Sequence, residues 1–505
     1  MEKVIRRALV SVYHKEGLAE ILKLLHEQGV EFVSTGGTST FIEGLGYPCV
    51  AVEDLTKYPS MLGGRVKTLH PAIQGGILAR RGHETDQKEV LEYGLSLIDL
   101  VIVDLYPFEA TVASGASEED IIEKIDIGGI SLIRGAAKNF EDVVIIPSQA
   151  DYATLHEILR ERGARTTLEE RRHFARRAFA VSSHYDSAIF RYFDAEDHSA
   201  LRLTADEAKP LRYGENPHQK GVFYGDLDRY FEQLHGKELS YNNLQDVEAA
   251  VSLIQDFSEP TFAILKHNNA CGCASRPTLL EAWTDALAGD PVSAFGGVLV
   301  ANRPIDVATA REIDKLFLEV LIAPDFDAEA LTILEGKKNR ILLRQKEAID
   351  ARWSYRSMLG GVLAQETDRA VETTAEMKPV TKVAPTAEEL TDLVFATKLV
   401  KHSKSNAIVL SKGGQLIASG VGQTSRVDAL KQAIEKARHF GFDLKGAVLA
   451  SDAFFPFDDC VTLAAEAGIT AIAQPGGSVR DADSIAAADR LGVAMVMTGV
   501  RHFKH

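Results

Sequence analysis

The stretch Thr261-Phe-Ala-Ile-Leu-Lys-His-Asn-Asn-Ala-Cys-Gly272 is an apolar run that ends abruptly in a cation, an imidazole and two side-chain amides. Short buried strands read this way, and ligands of α/β sheets sit at strand ends. Lys266 and His267 are adjacent. A continuing strand would send them to opposite faces, whereas a turn would aim both into one cleft. An imidazole with an ordinary pKa of about 6.5 moves protons near neutral pH, and an ammonium beside it steadies a developing oxyanion. An exposed strand end is the plain alternative. His267 with Cys271 and Cys273 suggests a zinc site, but neither a Cys-x-x-Cys pair nor a His-x-Glu partner accompanies them.

A second set of chemistry-bearing residues lies in the first third. Gly63-Gly-Arg-Val-Lys-Thr-Leu-His-Pro71 crowds Arg65, Lys67, Thr68 and His70 into a glycine-led loop. Against a formal charge of −16, from 56 basic and 72 acidic residues, such a cluster reads as an anion clamp or as a solvated loop. Gly36-Gly37-Thr38-Ser39 follows a strand-like segment and opens a helix, a turn whose N–H groups suit an oxyanion. Tyr106 sits just past the apolar run Leu97 to Leu105, Asp126 stands beside Gly128-Gly129, and Arg134 and Lys138 are four apart on a predicted helix. Together these loops describe a phosphate pocket with acid–base groups.

The elements that must position them alternate. Ala8 to Tyr13 reads as a buried strand, Gly17 to Gln28 as a helix and Glu31 to Thr35 as a second strand, which makes a βαβ unit and a parallel sheet. No Gly-x-Gly-x-x-Gly follows the first strand, which excludes a Rossmann dehydrogenase. From Asp151 to Phe193 charged helices suggest a connection between domains. Beyond about residue 200 the chain reads as weakly duplicated. Phe262-Ala-Ile-Leu-Lys-His resembles Asn406-Ala-Ile-Val-Leu-Ser-Lys, and Val292-Ser-Ala-Phe-Gly-Gly-Val can be set beside Ser451-Asp-Ala-Phe-Phe-Pro-Phe457. Two related lobes would leave a cleft between them. The closing Arg501-His-Phe-Lys-His505 reads as a frayed tail.

Composition bounds the partners. A chain of 505 residues with 45% hydrophobic and 25% charged content is an ordinary globular protein of two or three domains. Its negative field repels nucleic acid and anionic membranes, leaving small anionic molecules as ligands. Four scattered cysteines indicate a reducing, cytoplasmic setting. Neither an apolar signal core nor a run of about 20 apolar residues is present, so export and membrane spanning are not expected.

In this order, Gly-Gly-Arg-Val-Lys-Thr-Leu-His-Pro, Leu-Tyr-Pro-Phe, Asp-Ile-Gly-Gly, Ala-Ala-Lys-Asn, Arg-Tyr-Gly-Glu-Asn-Pro-His-Gln, Leu-Lys-His-Asn-Asn, Asp-Pro-Val-Ser-Ala-Phe-Gly-Gly and Ser-Asp-Ala-Phe-Phe-Pro-Phe resemble the AICAR transformylase/IMP cyclohydrolase family over essentially the whole chain. The resemblance implies an α/β chain: a methylglyoxal-synthase-like cyclohydrolase domain (1–148), a helical connection (149–200) and a transformylase domain of two cytidine-deaminase-like lobes (201–505). It also implies a homodimer with transformylase sites at the interface, 10-formyltetrahydrofolate as co-substrate and no metal. For formyl transfer it implies Lys266, His267 and Asn406 as catalytic, Arg212, Tyr213 and Arg501 on the nucleotide, Arg426 orienting the reacting groups, and Phe295 and Phe454 walling the folate. For ring closure it implies Lys67, Tyr106, Asp126 and Lys138 as catalytic, with Ser11, Lys15, Ser34, Gly36, Gly37, Thr38, Arg65 and Thr68 holding the phosphate end. Three positions depart from the family pattern: Asp104 stands for Asn, Ala270 for Pro and Asp458 for Arg. Two other classes compete: a zinc-dependent base deaminase, and a nucleotide or folate sensor without turnover.

Overall fold

The computed structural model describes residues 2–205 and 207–505, and the chain divides into two compact units between residues 206 and 207. In the first unit, apolar strands alternate with helices: β1 (Arg7–Val12), α1 (Leu18–Glu27), β2 (Glu31–Ser34), α2 (Gly36–Gly44), β3 (Cys49–Ala51), α3 (Pro71–Leu78), β4 (Leu100–Asp104), α4 (Gly128–Lys138), β5 (Val144–Ile146), α5 (Tyr152–Arg162) and α6 (Leu168–Phe193). The strands form a five-stranded sheet in the order β3-β2-β1-β4-β5, and every pairing is parallel. Strands covered on both faces need continuous apolar runs, which is why Ala8, Leu9 and Val10 are all fully buried. The order reverses direction between β1 and β4, and such a switch point opens a crevice at the carboxyl ends of the strands.

The segment expected as a helical connection is instead part of this unit. Tyr152, Leu155 and Leu159 of α5 and Phe174, Ala175 and Ala178 of α6 lie in the same core as the sheet. Its charged residues occupy only the outer face, and the apolar stripe beneath them is what anchors the helices. A capping box between Thr167 and Glu170 starts α6, a feature worth about 1 kcal/mol.

The second unit is built on one twelve-stranded sheet. Its elements are β6 (Phe231–His235), α7 (Tyr241–Ile254), β7 (Thr261–Lys266), β8 (Asn269–Ser275), α8 (Leu279–Gly289), β9 (Val298–Ala301), α9 (Val307–Ile313), β10 (Val320–Ala323), α10 (Ala328–Leu334) and β11 (Ile341–Gln345). They continue with β12 (Lys378–Pro379), α11 (Ala387–Lys401), β13 (Ile408–Lys412), β14 (Gln415–Gly420), α12 (Arg426–His439), β15 (Val448–Ser451), α13 (Asp459–Ala467), β16 (Ala471–Gln474), α14 (Asp481–Leu491) and β17 (Ala494–Met497). The sheet order is β6-β11-β10-β9-β7-β8-β14-β13-β15-β16-β17-β12.

That order is a repeat about its centre. The β7–β8 hairpin, antiparallel to β9 and followed by parallel β10 and β11, is matched by the β13–β14 hairpin with β15, β16 and β17. Helices α7 and α11 share one core with one face of the whole sheet. On the other face, α8 to α10 and α12 to α14 contribute to separate cores. The pairing of Phe262 with the Asn406 stretch thus falls on equivalent strands. The pairing of Val292 with Ser451 does not, because Val292–Val298 leads into β9 whereas Ser451–Phe457 leaves β15.

The last residues are not frayed. His502 is 3% exposed, and the Ser405 N–H donates to the Lys504 carbonyl at 2.9 Å. Among the described residues no helix is long and apolar enough to cross a membrane.

Candidate functional site

The β7–β8 hairpin decides how Lys266 and His267 point. Lys266 pairs with Asn269, so His267 and Asn268 are a two-residue turn, and both have positive φ (52° and 64°), as a type I′ hairpin requires. His267 takes this left-handed conformation without being glycine, which costs about 1–2 kcal/mol and indicates a position held for something other than stability. The turn is braced from α7, where Asp246 Oδ1 accepts the Asn268 N–H at 2.7 Å. Burial raises the Asp246 pKa, opposed by that N–H and by the charges of His267 and Lys266.

Lys266 and His267 line a cavity of about 220 Å³ together with Asn269, Ala270, Cys271, Ser293 and Lys436. Lys266 Nζ donates to the Phe295 carbonyl at 2.7 Å. Lys436 pairs with the buried Asp290 carboxylate at 2.6 Å. The cavity therefore has two ammonium groups and an imidazole at its wall. Ala270 lies in β8, bonded across to β7, so the pairing itself holds the backbone at this departure from the family pattern. Cys271 and Cys273 are buried, and burial drives the Cys271 thiol up to about 12 and that of Cys273 higher. Among the described residues no cluster of three or more His, Cys, Asp or Glu is placed to hold a metal.

The two halves of the sheet meet at this hairpin. Asn269 Oδ1 accepts the Lys404 N–H at 3.0 Å, which ties the turn to the Ser405–Asn406 loop of the other half. There Asn406 Oδ1 accepts from Arg426 Nη2 at 2.7 Å, and the same Nη2 donates to Asp452 at 2.8 Å. Arg426 Nη1 donates to the Phe454 carbonyl at 3.0 Å. Asn406, Arg426 and Phe454 are thus one bonded group, while Phe295 is exposed against Phe317 with ring centroids 5.0 Å apart. Arg212 and Tyr213 pair with each other, guanidinium over ring at 4.7 Å, and Arg501 stacks on Phe503 at 4.5 Å. Asp458 only precedes α13, at its amino end.

In the first unit, the residues converge at the carboxyl ends of β1, β2 and β4. Gly36 (φ 51°) opens α2, and a Cβ there would lie 3.5 Å from Lys67 Nζ. At Gly64 (φ 90°) a Cβ would lie 2.5 Å from Lys67 Cε. Lys67 is therefore cradled between two glycines beside a helix amino terminus that has no side-chain cap, an arrangement that attracts an anion. Thr68 is buried, with its hydroxyl 3.0 Å from where a Gly128 Cβ would stand. Asp126 accepts the Gly129 N–H at 2.6 Å. Burial raises the Asp126 pKa, and burial followed by the Asp126 charge raises that of Tyr106.

Not every expected residue joins that group. The Ser34 hydroxyl donates to the Val10 carbonyl and the Thr38 hydroxyl to the Val12 carbonyl, so both buried hydroxyls are committed to bracing β1. Lys15 Nζ donates to the Val12 and Tyr13 carbonyls, and Ser11 is half-buried within β1. Arg65 is exposed and paired with Glu123. Lys138, exposed, is the last residue of α4 whereas Asp126 precedes its first turn; a helix of this length separates them by about 15 Å. The structure does not bring Lys138 to Asp126.

Three residues here carried no signal in the sequence. Lys124 Nζ lies 5.5 Å from the Tyr13 ring and 5.7 Å from that of Tyr106. Tyr185 of α6 donates to the Lys124 carbonyl and accepts the Asp126 N–H. His14 pairs with Asp104 at 2.6 Å, so the carboxylate that departs from the family pattern has its own partner. Only the fold connects residues so far apart in the chain.

Two α/β units, each gathering cations and proton-moving groups at strand ends, are the build of an enzyme for small anionic molecules. The family described as AICARFT/IMPCHase bienzyme matches residues 136–436, and an MGS-like domain matches residues 17–131. A bifunctional purine biosynthesis protein PurH of Bacteroides thetaiotaomicron is 68% identical, covering 100% of this chain and 99% of its own. Proteins of that name from Chloroflexus aurantiacus and Chlorobium luteolum are 48% and 46% identical over 100% of this chain and 99% and 100% of theirs. The chain belongs to the AICARFT/IMPCHase bienzyme family, the AICAR transformylase and IMP cyclohydrolase enzymes of purine biosynthesis.

Proposed function

We propose that the second unit transfers the formyl group of 10-formyltetrahydrofolate to the 5-amino group of AICAR, and that the first unit closes the product FAICAR to IMP. The observation that carries the division is the placement of Lys266, the last residue of β7, and His267, the first residue of the αL turn that follows, along the wall of a single cavity. The amino group of AICAR is conjugated with its ring and carboxamide, so it attacks well only as its proton leaves. His267 takes that proton while the nitrogen–carbon bond forms, and Lys266 steadies the oxyanion and helps protonate the departing folate nitrogen. Asn406 and Arg426 orient the reacting groups, Arg212, Tyr213 and Arg501 grip the nucleotide, and Phe295 and Phe454 wall the folate.

In the first unit the carboxamide nitrogen attacks the formyl carbon and water leaves. Lys67, Tyr106 and Asp126 stabilise the tetrahedral oxyanion and move its protons. The amino end of α2, with Gly36 and Gly37, receives the phosphate, with Lys67 beside it, Thr68 next in the loop and Ser11 on β1; Lys15 and Arg65 reach it only by giving up the partners they have here. The raised pKa values of Asp126 and Tyr106 suit groups that exchange protons in a partly dry pocket. The reading includes a cytoplasmic homodimer with transformylase sites at the subunit interface, and chemistry that needs no metal.

The test is to mix purified protein with AICAR and 10-formyltetrahydrofolate, following tetrahydrofolate by absorbance and IMP by chromatography. Both products are expected. Tetrahydrofolate and FAICAR without IMP would overturn the cyclohydrolase assignment, and no turnover would favour a nucleotide sensor.

A further inference from the structure

His502 is 3% exposed and stands between two carboxylates, with Nδ1 2.6 Å from Asp368 Oδ2 and Nε2 2.8 Å from Glu372 Oε1. A neutral imidazole has one N–H and satisfies one of these acceptors, whereas an imidazolium satisfies both. Glu372 is itself 5% exposed, so losing the second donor would leave a buried carboxylate short of its partner, a costly arrangement. Burial opposes the imidazolium charge, but hydrogen bonds and attraction from Glu372 and Asp368 outweigh it and push the imidazole up to about 9. Other charges on these elements are Lys401, which acts on Asp368, Arg369, which pairs with Asp350, and Lys504, whose ammonium faces Lys401, Lys404 and Glu248.

The backbone around this clamp leads to residues assigned to formyl transfer. The His502 N–H donates to the Asp452 carbonyl at 3.0 Å, and the Asp452 carboxylate holds Arg426. Two residues on, the Lys504 carbonyl accepts the Ser405 N–H at 2.9 Å, and its N–H donates to Ser405 Oγ at 3.1 Å. Ser405 immediately precedes Asn406, which bonds to Arg426. The end of the chain thus grips both sides of the Arg426–Asn406 pair, and the imidazole fastens that end to the 368–372 segment.

We propose that His502 is a positioning residue for formyl transfer: clamped between Asp368 and Glu372, it fixes residues 502–504 against Asp452 and Ser405 and so sets the geometry of Arg426 and Asn406. The proposal rests on the transformylase reading of the second unit. Its sign with pH follows from the raised folded-state value. The clamp is intact below about 6.5, the ordinary value, and is lost as pH rises through about 9.

The experiment uses the full-length enzyme and measures kcat and KM for formyl transfer from pH 6 to 10 in the parent, His502→Gln and Glu372→Gln, with cyclisation of FAICAR by the same samples as internal control. His502→Gln should lower kcat for transfer about tenfold or more, as displaced catalytic geometry does, with cyclisation within twofold. Glu372→Gln, which keeps the side chain's size but removes one charge, should move the alkaline limb of transfer to lower pH. A His502→Gln enzyme with parental kcat and pH profile would overturn the proposal. If that variant does not fold, an unmoved alkaline limb in Glu372→Gln would do so. Absence of transfer in the parent would instead remove the transformylase reading, and the proposal with it.

Discussion

His267 trades backbone comfort for reach. An exposed histidine at φ 52° stores about 1–2 kcal/mol that glycine would not, while glycine adds about 0.5–1 kcal/mol of unfolded-state freedom. His267→Gly should therefore be no less stable than the parent, and up to about 1.5 kcal/mol more stable, while formyl transfer falls by about 10²–10⁴. A denaturant melt and a transfer assay check both halves, and a variant clearly less stable than the parent would mean the turn stores no such strain. Lys138 supplies the opposite case. It is exposed at the far end of α4 from Asp126, about 15 Å along the helix. Lys138→Ala should leave cyclisation of FAICAR within about twofold, since surface changes away from special contacts are nearly neutral. A drop of tenfold or more would return it to the catalytic group.

At the scale of elements, α6 acts as a wall for the first candidate site. Its Tyr185 hydroxyl donates to the Lys124 carbonyl and accepts the Asp126 N–H, which fixes the loop that carries the carboxylate. Burial drives this phenol up to about 12, so it remains a donor throughout the working pH range. Tyr185→Phe leaves two backbone groups without that partner, at a cost of about 1–3 kcal/mol, and should slow cyclisation while leaving formyl transfer within twofold. Thermal melts and the two separate assays measure this, and unchanged cyclisation would detach α6 from the site. The sequence made the strands and their carboxyl-end loops readable, because continuous apolar runs such as Leu97 to Leu105 have few other uses. It made α6 readable as a helix but not as core, since Phe174, Ala175 and Ala178 sit among arginines that dominate its composition. The β7–β8 turn was legible only as two alternatives, because Lys-His-Asn-Asn lacks the glycine that usually marks a type I′ hairpin. Pairings such as His14 with Asp104 or Lys124 over Tyr106 depend on which strands are neighbours, which no local pattern encodes. The closing residues misled for a related reason: a short basic tail looks free until the acids that bind it, 130 and 134 positions earlier, are placed beside it.

For the molecule as a whole, what matters is that the two candidate sites draw their residues from different units of the chain. Lys67, Tyr106 and Asp126 belong to the first unit and Lys266, His267, Asn406 and Arg426 to the second, and the intermediate FAICAR is a small anion that water can carry between them. Loss of one site should then leave the other working in the same chain. The sharpest expression of this is complementation. His267→Ala protein should make no FAICAR from AICAR and 10-formyltetrahydrofolate but should cyclise FAICAR supplied to it. Tyr106→Phe protein should make FAICAR and release it with little IMP. Mixed in equal amounts, the two should make IMP from AICAR after a lag set by the build-up of FAICAR, with a final rate approaching half that of the parent at the same total concentration. IMP formation by the mixture, followed by chromatography, is the measurement. A mixture that stays silent while each variant retains its remaining activity would mean that FAICAR never leaves the protein that made it, and two independent sites would be the wrong description of this enzyme.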